Sequence, residues 1–291
     1  MKDEILDKYR EAGLLASKIL RDGAKEIRIG TSYPDIVESI ESRVIEEGAA
    51  LAFPLNLSLN EDAAHDTASP GDIRILAKGD VAKLDLGVQV DGYIADTATT
   101  IDLGTNTLLV EASRQALDAA IRIIRPGVTT GDLGKAVQSE IESRGYRPIS
   151  NLTGHGLDQY ILHRSPTIPN IAINGGVTLE EGMVFAIEPF ATTGSGHVME
   201  KTRREIYSQI SPKPVRTPAG RAILEQIKGR RGLPFSRRWL KERKMDLALP
   251  TLLRSQVLHV YPVLSDVPGS LVSQAEHTII VTAEGCIVTT R

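Results

Sequence analysis

The stretch "KLDLGVQVDGYIADTATT", Lys83 to Thr100, decides how this chain folds. Apolar and polar residues alternate through it as in two half-buried strands, and Asp91-Gly92 stands where a two-residue hairpin turn belongs. A turn at that dipeptide pairs residues whose numbers sum to 183, so Asp96 faces Gly87, with Asp85 two residues beyond on the same strand. Strand side chains alternate faces, which puts Asp85 and Asp96 on one face as diagonal neighbours, roughly 7–8 Å apart at Cα. Asp is disfavoured in strands and an unpaired buried carboxylate is costly. Two carboxylates on one buried face call for a positive charge between them.

The chain also repeats itself. "RIGTSYPDIVESIESRVIEEG" (28–48) matches "RPGVTTGDLGKAVQSEIESRG" (125–145) at a constant offset of 97. Ile36, Ile40 and Val44 fall opposite Leu133, Val137 and Ile141, each set a helical stripe with a step of four. Asp35 and Asp132 occupy the position expected of an N-cap. "LNLS" (55–58) matches "SNLT" (150–153), and "GDVAKLD" (79–85) matches "GMVFAIE" (182–188). The chain therefore reads as two copies of helix, loop, helix and strands, each ending a strand in an acid. Packed about a pseudo-two-fold axis, the copies bring Glu188 and Glu276 to the place of Asp85 and Asp96. Four converging carboxylates are most simply compensated by a pair of divalent cations.

Asp96 follows Asp85 by 11 residues, whereas Glu276 follows Glu188 by 88, so about 77 residues interrupt the second hairpin. This gives a catalytic domain of residues 1–193 and 271–291 and an inserted basic helical subdomain of residues 194–270. Residues 200–245 hold 14 Lys and Arg against 4 Asp and Glu, inside a chain whose net charge is −3. "AGRAILEQIKGRRG" and "SRRWLKERKM" in this insert both read as helices, one closed by Gly and one opened by Ser. Its adjacent arginine pairs, Arg203-Arg204, Arg230-Arg231 and Arg237-Arg238, offer either a surface paired with the acidic body or a docking face for ribosomal RNA.

Imidazole commonly completes a site of this kind. His155, in "NLTGHGL", is well placed to point into it, with His65 and His163 as further candidates. His277 adjoins Glu276 and strand alternation turns it to the other face. His197 and His259 lie in the insert and read as surface or packing residues. There is no phosphate-binding glycine loop, no G-x-S-x-G nucleophile motif and no C-x-x-C. A single cysteine, Cys286, excludes an intrachain disulfide and suits a reducing compartment. The charged N-terminus and the lack of a long apolar run lead to the expectation of a cytoplasmic protein that does not span a membrane.

The order Asp85, Asp96, His155, Glu188, Glu276 resembles the dinuclear metallopeptidases of the pita-bread fold. "FPLNLSLNEDAAH", "LDLGVQVDGYIADTA", "NLTGHGL", "FAIEPFA" and "AEHTII" are similar to type II methionine aminopeptidases, and the lack of a long charged N-terminal extension resembles the short archaeal form. The resemblance covers nearly the whole chain. It implies an α+β fold: duplicated halves around a curved antiparallel sheet, with a helical insert. It also implies that the five residues ligate two divalent ions (Co, Mn, Fe or Zn), with Asp96 and Glu276 bridging. A hydroxide between the ions would release the initiator methionine of nascent proteins and peptides. His65 and His163 would contact substrate, Glu188 would also move a proton, and Phe53 and Tyr261 would line the methionine pocket. Ala275 departs from the larger aromatic residue of many relatives. The resemblance further implies a monomer. The other readings are a proline-specific peptidase of the same fold and a non-enzymatic, ribosome-associated pita-bread protein. The first usually carries a large extra N-terminal domain, and the second would have lost ligands that this chain retains.

Overall fold

The computed structural model describes residues Met1–Arg291. Each half begins with two helices: α1 (Asp3–Ala24) and α2 (Tyr33–Glu46), then α3 (Thr107–Ile121) and α4 (Thr130–Ser143). The predicted stripes are the buried faces. Ile36, Ile40 and Val44 join one core, and Leu133, Val137 and Ile141 join another. The caps lie three residues earlier than expected. Ser32 and Thr129 are the N-caps, while Asp35 and Asp132 sit in the first turn. The Asp132 carboxylate accepts from the Thr129 backbone N–H, and Thr129 Oγ1 accepts from the Asp132 N–H, a reciprocal capping box. An aspartate in a first turn also meets the positive end of the helix dipole. Ser32 and Thr129 are further related by matching isolated bridges, to Ile75 and Thr178.

The first hairpin, Val81–Val90 with Tyr93–Asp102, has the predicted register: Val90 pairs with Tyr93, Gly87 with Asp96 and Asp85 with Ala98. Asp91 and Gly92 both have positive φ (52° and 89°), as the turn requires. In the second half, Val184–Ile187 lies between His277–Val281 and Thr153–Asp158, and Ile161–Pro169 closes that edge of the sheet. His277 pairs with Ile187, so Glu276 and Glu188 face each other one residue further along.

The halves meet at a seam. Ala98 and Glu276 exchange both backbone hydrogen bonds, at 3.4 and 3.0 Å. Threonines extend it: Thr278 Oγ1 accepts from Asp96 N at 2.7 Å and donates to the Asp96 carbonyl at 2.8 Å. Thr100 Oγ1 does the same for Gln274, donating to its carbonyl at 2.6 Å and accepting from its N–H at 2.8 Å. These bonds lock two acid-bearing strands edge to edge in a buried setting.

Residues 194–270 are not simply helical. α5 (Pro218–Ile227) and α6 (Met245–Arg254) pack on a three-stranded antiparallel sheet of Ile206–Gln209, Phe235–Ser236 and Leu258–Tyr261. "SRRWLKERKM" makes only one 3-10 turn, Arg237–Trp239, before the backbone extends at Leu240. Its side chains are drawn into contacts with the first half, which outweigh local helix preference. Met199–Glu200 and Leu264–Ser265 also join a three-stranded sheet with Asp62–Ala64, so the insert is stitched to the body.

Gly13 shows how tightly α1 is seated. A Cβ there would lie 2.1 Å from the carbonyl oxygen of Thr289. On an open helix face Gly13→Ala would stabilise by roughly 1 kcal/mol through propensity alone. Here overpacking against backbone opposes that gain, at about 1–3 kcal/mol or more. Gly13→Ala is therefore expected to lower the urea midpoint, and a raised midpoint would show that the helix is free to shift.

Candidate active site and metal centre

The seam places Asp85, Asp96, Glu188 and Glu276 along the wall of one cavity, with His155 beside them. His155 Nε2 lies 3.7 Å from Asp96 Oδ2 and 3.6 Å from Glu188 Oε1. Ligand atoms of Asp96, His155 and Glu276 all fall within 4.8 Å of one another. Glycines on both sides of His155 allow this approach. A Cβ at Gly154 would meet the Ala186 carbonyl oxygen at 2.3 Å, and one at Gly156 the Ser165 carbonyl oxygen at 2.4 Å.

No lysine or arginine compensates these carboxylates. Their neighbours are His155 and Gln274, whose side-chain amide points at Glu188 Oε2 and Glu276 Oε2 from 3.5 and 3.4 Å. Asp85 Oδ1, Asp96 Oδ1 and His155 Nδ1 are buried without a hydrogen-bond partner. Burial pushes Asp85 up to about 7. Burial first, and then the neighbouring carboxylates, push Asp96, Glu188 and Glu276 well above the usual carboxylate range. Burial lowers His155 to about 3, keeping it a neutral imidazole. Orphaned carboxylate oxygens, mutual repulsion and a neutral imidazole together fit a hard or borderline divalent cation.

The remaining predicted residues lie around the same cavity. The His163 ring is T-shaped to His155, with centroids 4.4 Å apart. His65 sits in the left-handed region at φ 65°, and its Nδ1 is 3.2 Å from the Pro262 carbonyl oxygen. Burial lowers both His65 and His163 to about 4, so both are neutral at physiological pH. The Tyr261 ring stands between them, with centroids 5.6 Å from His65 and 6.1 Å from His163, and its hydroxyl meets Ser208 Oγ at 3.2 Å. Phe53 lines the apolar side with Leu162, Ile206 and Pro234.

His277 takes the opposite face, where Nδ1 meets Thr290 Oγ1 at 2.8 Å. His197 and His259 are exposed, although the His259 ring packs edge-on to Tyr261 at 4.7 Å. Asn56, Gln274, Ile206 and Pro234 were not anticipated as site residues. Asn56 sits in the duplicated "LNLS" motif opposite Asp85 in the ladder, and that pairing was the signal available for it. The cavity thus takes residues from both halves and from the insert.

A family profile described as "Metallopeptidase family M24" matches residues 7–228. The chain belongs to that family. It is 48% identical to a methionine aminopeptidase of Archaeoglobus fulgidus over 100% of both chains. Among solved structures, a methionine aminopeptidase from Rickettsia prowazekii is similar with a TM-score of 0.74 at 23% identity, covering 100% of this chain and 98% of that one. A thermophilic Arx1 is similar with a TM-score of 0.90 at 20% identity, covering 99% and 91%. These structural likenesses establish the pita-bread fold in which the seam and its acids sit. No helix is long and apolar enough to cross a membrane.

The paired arginines of the insert are largely engaged. Arg203 reaches Asp66 and Asp72 at 3.1 and 2.8 Å, and Arg238 reaches Glu41 at 2.9 Å. Arg230 donates to backbone carbonyls, and Arg237 pairs with Asp246. Only Arg204 and Arg231 of the six are exposed, and Arg231 covers the Tyr160 ring at 4.5 Å. Three of the six therefore tie the insert to the body, while other basic residues of the segment, among them Lys213, Arg216, Arg221, Lys241 and Arg243, are exposed.

An acid whose folded pKa exceeds its unfolded value favours the protonated fold. Metal-free protein should therefore lose stability as pH rises from about 4 through 7. Glu276→Gln removes one carboxyl that must take up a proton to be buried. The metal-free variant should melt above metal-free wild type at pH 7 by about 2–4 °C, the shift roughly 1 kcal/mol produces in a large domain. It should also show a shallower pH slope and lose most of the stabilisation that added divalent metal confers. A metal-free variant that melts lower than wild type would show that the carboxylates are not in conflict.

Proposed function

We propose that the chain is a metal-dependent aminopeptidase that removes N-terminal methionine from peptides and nascent proteins in the cytoplasm. The observation that carries this reading is a cluster of four carboxylates and one imidazole beside an apolar cavity, supported by 48% identity over the full length of an archaeal methionine aminopeptidase. Asp85, Asp96, His155, Glu188 and Glu276 would hold two divalent ions, and the ligand atoms of Asp96, His155 and Glu276 already lie within 4.8 Å of one another. Mixed carboxylate and imidazole ligands admit Mn, Fe, Co or Zn. When bound, such ions supply Lewis acidity toward a carbonyl and lower the pKa of water.

The protein's own groups do the rest. Phe53, Leu162, Ile206, Pro234 and Tyr261 offer an apolar cavity to an unbranched, polarizable thioether. This orients the first peptide bond toward the carboxylates. His163 is neutral, so its ring N–H can donate to the carbonyl oxygen as negative charge develops there. Glu188, on the cavity wall, can take a proton from the attacking water on one carboxylate oxygen and deliver it to the leaving amine nitrogen. His65, in a strained conformation that its surroundings must enforce, is placed to orient the substrate backbone.

After chelation the protein should not cleave a Met-Ala-Ser peptide, and add-back of single metals should restore cleavage. N-acetylated peptide should stay intact throughout. Cleavage of Xaa-Pro dipeptides with Met-Ala-Ser untouched would replace this reading by the proline-specific one. His65→Ala should fold and keep two metal equivalents while losing on the order of a hundredfold in kcat/KM. Loss of metal from that variant would move His65 into the ligand set.

A further inference from the structure

Phe53 and its neighbours form a wall of the cavity, yet residues 52–55 belong to no strand or helix. The segment Ala52-Phe53-Pro54-Leu55 links the strands Ala50–Leu51 and Asn56–Leu59, and specific bonds hold it at both ends. At its start the Ala52 N–H donates to the Gly87 carbonyl at 2.8 Å. The Ala52 carbonyl accepts from Arg230 Nη2 at 2.9 Å, and the same nitrogen donates to the Pro234 carbonyl at 2.6 Å. Pro234 lines the cavity too. At its end the Leu55 N–H donates to Glu41 Oε1 at 3.2 Å. That buried carboxylate also accepts from Arg238 Nη2, at 2.9 Å to each oxygen, and from Trp239 Nε1 at 2.9 Å. The Arg230 guanidinium lies 5.1 Å from the Trp239 ring centroid, which joins the two attachments. Below the wall, the Phe53 ring rests on Gly87, where a Cβ would come within 2.2 Å of Phe53 Cε1.

We propose that Arg230, with the Glu41–Arg238–Trp239 cluster, is a positioning group that sets which N-terminal side chain the cavity accepts, by fixing Phe53 and Pro234 as its walls. The inference rests on the aminopeptidase reading. One guanidinium nitrogen bonded to carbonyls of two chain segments fixes the distance between them. Charge-assisted bonds of this kind are about twice as strong as neutral ones. Apolar pockets discriminate by about tenfold or more per methylene, so a small displacement of either wall changes selectivity. The sequence places these arginines in a basic run, but their use is internal: the insert shapes the cavity from behind.

Arg230→Met keeps the side-chain stem and removes the donors, while Arg230→Lys keeps a charge that can serve one carbonyl. Each variant is compared with wild type for KM and kcat on peptides beginning with Met, Leu and Ala, for calorimetric Kd of free methionine, for metal content and for melting temperature. Arg230→Met should raise KM for the Met-peptide and Kd for methionine about tenfold and cut the Met-over-Leu preference by a similar factor. Its kcat should stay within about twofold and its metal content unchanged. Arg230→Lys should recover part of the preference. Gly87→Ala, which pushes Phe53 into the cavity from below, should shift preference from Met toward Ala. A lower melting temperature with unaltered selectivity and methionine Kd would overturn the proposal, as would an equal loss of kcat on all three peptides. Should Arg230→Met fail to fold, Glu41→Gln tests the wall from its other end by the same criteria. A wild type inactive on every Met-peptide would overturn the aminopeptidase reading, and the methionine Kd would still report on the wall.

Discussion

Four carboxylates crowd one cavity without a lysine or arginine among them, and the architecture exists to hold them there. Left to themselves they would separate or stay protonated. They cannot separate, because each is mounted on a strand whose position is set elsewhere, and burial pushes their carboxyls above the usual carboxylate range. Asp85 and Asp96 belong to a hairpin with a fully specified register, and Glu188 and Glu276 to the corresponding strands of the second half. The Ala98–Glu276 bridge and the bonds of Thr278 and Thr100 fasten the two strand pairs at the point of greatest repulsion. Helices of each half pack behind the strands and supply two separate cores. Stability from those cores sustains a site that is electrostatically unfavourable until a cation is bound, the usual exchange of stability for function.

The insert completes the cavity. It contributes Ile206, Pro234 and Tyr261 directly and braces Phe53 from behind. Its attachments are long-range and polar. Arg203 reaches Asp66 and Asp72, next to His65, and Arg238 reaches Glu41 beneath the Phe53 segment. Buried ion pairs of this kind add little net stability relative to apolar packing, but removing one partner is costly, so they act as registers between chain segments. The carboxylate side of the cavity is thus built by the duplicated body, and much of its apolar wall by the insert.

How much of this was legible in the sequence varies with the range of the interaction. The Asp91-Gly92 turn and the alternation around it are local, and they led to the correct face for Asp85 and Asp96. The duplication carried that reading to Glu188 and Glu276, because equivalent strands meet across the pseudo-axis. His155 stood out by its place just after the duplicated "SNLT" motif, one glycine on, and the structure uses that glycine, Gly154, for close backbone approach. The insert was misread where tertiary contacts decide. "SRRWLKERKM" has helical residues, but Arg238 and Trp239 turn to Glu41, nearly 200 residues away, and only one 3-10 turn forms. A charge count could not tell an exposed arginine from one bonded to a distant carbonyl, as Arg230 is. Gln274 was invisible for a related reason: only the folded seam brings its amide to the glutamates.

The central claim is that the seam between the halves is a dinuclear cation site. The most direct measurement is anomalous diffraction from crystals of metal-loaded protein, collected above and below the absorption edge of the added metal. The account predicts two peaks about 3.5–4 Å apart, bounded by Asp85, Asp96, His155, Glu188 and Glu276. Anomalous density elsewhere on the chain, with the five side chains holding only water, would contradict it.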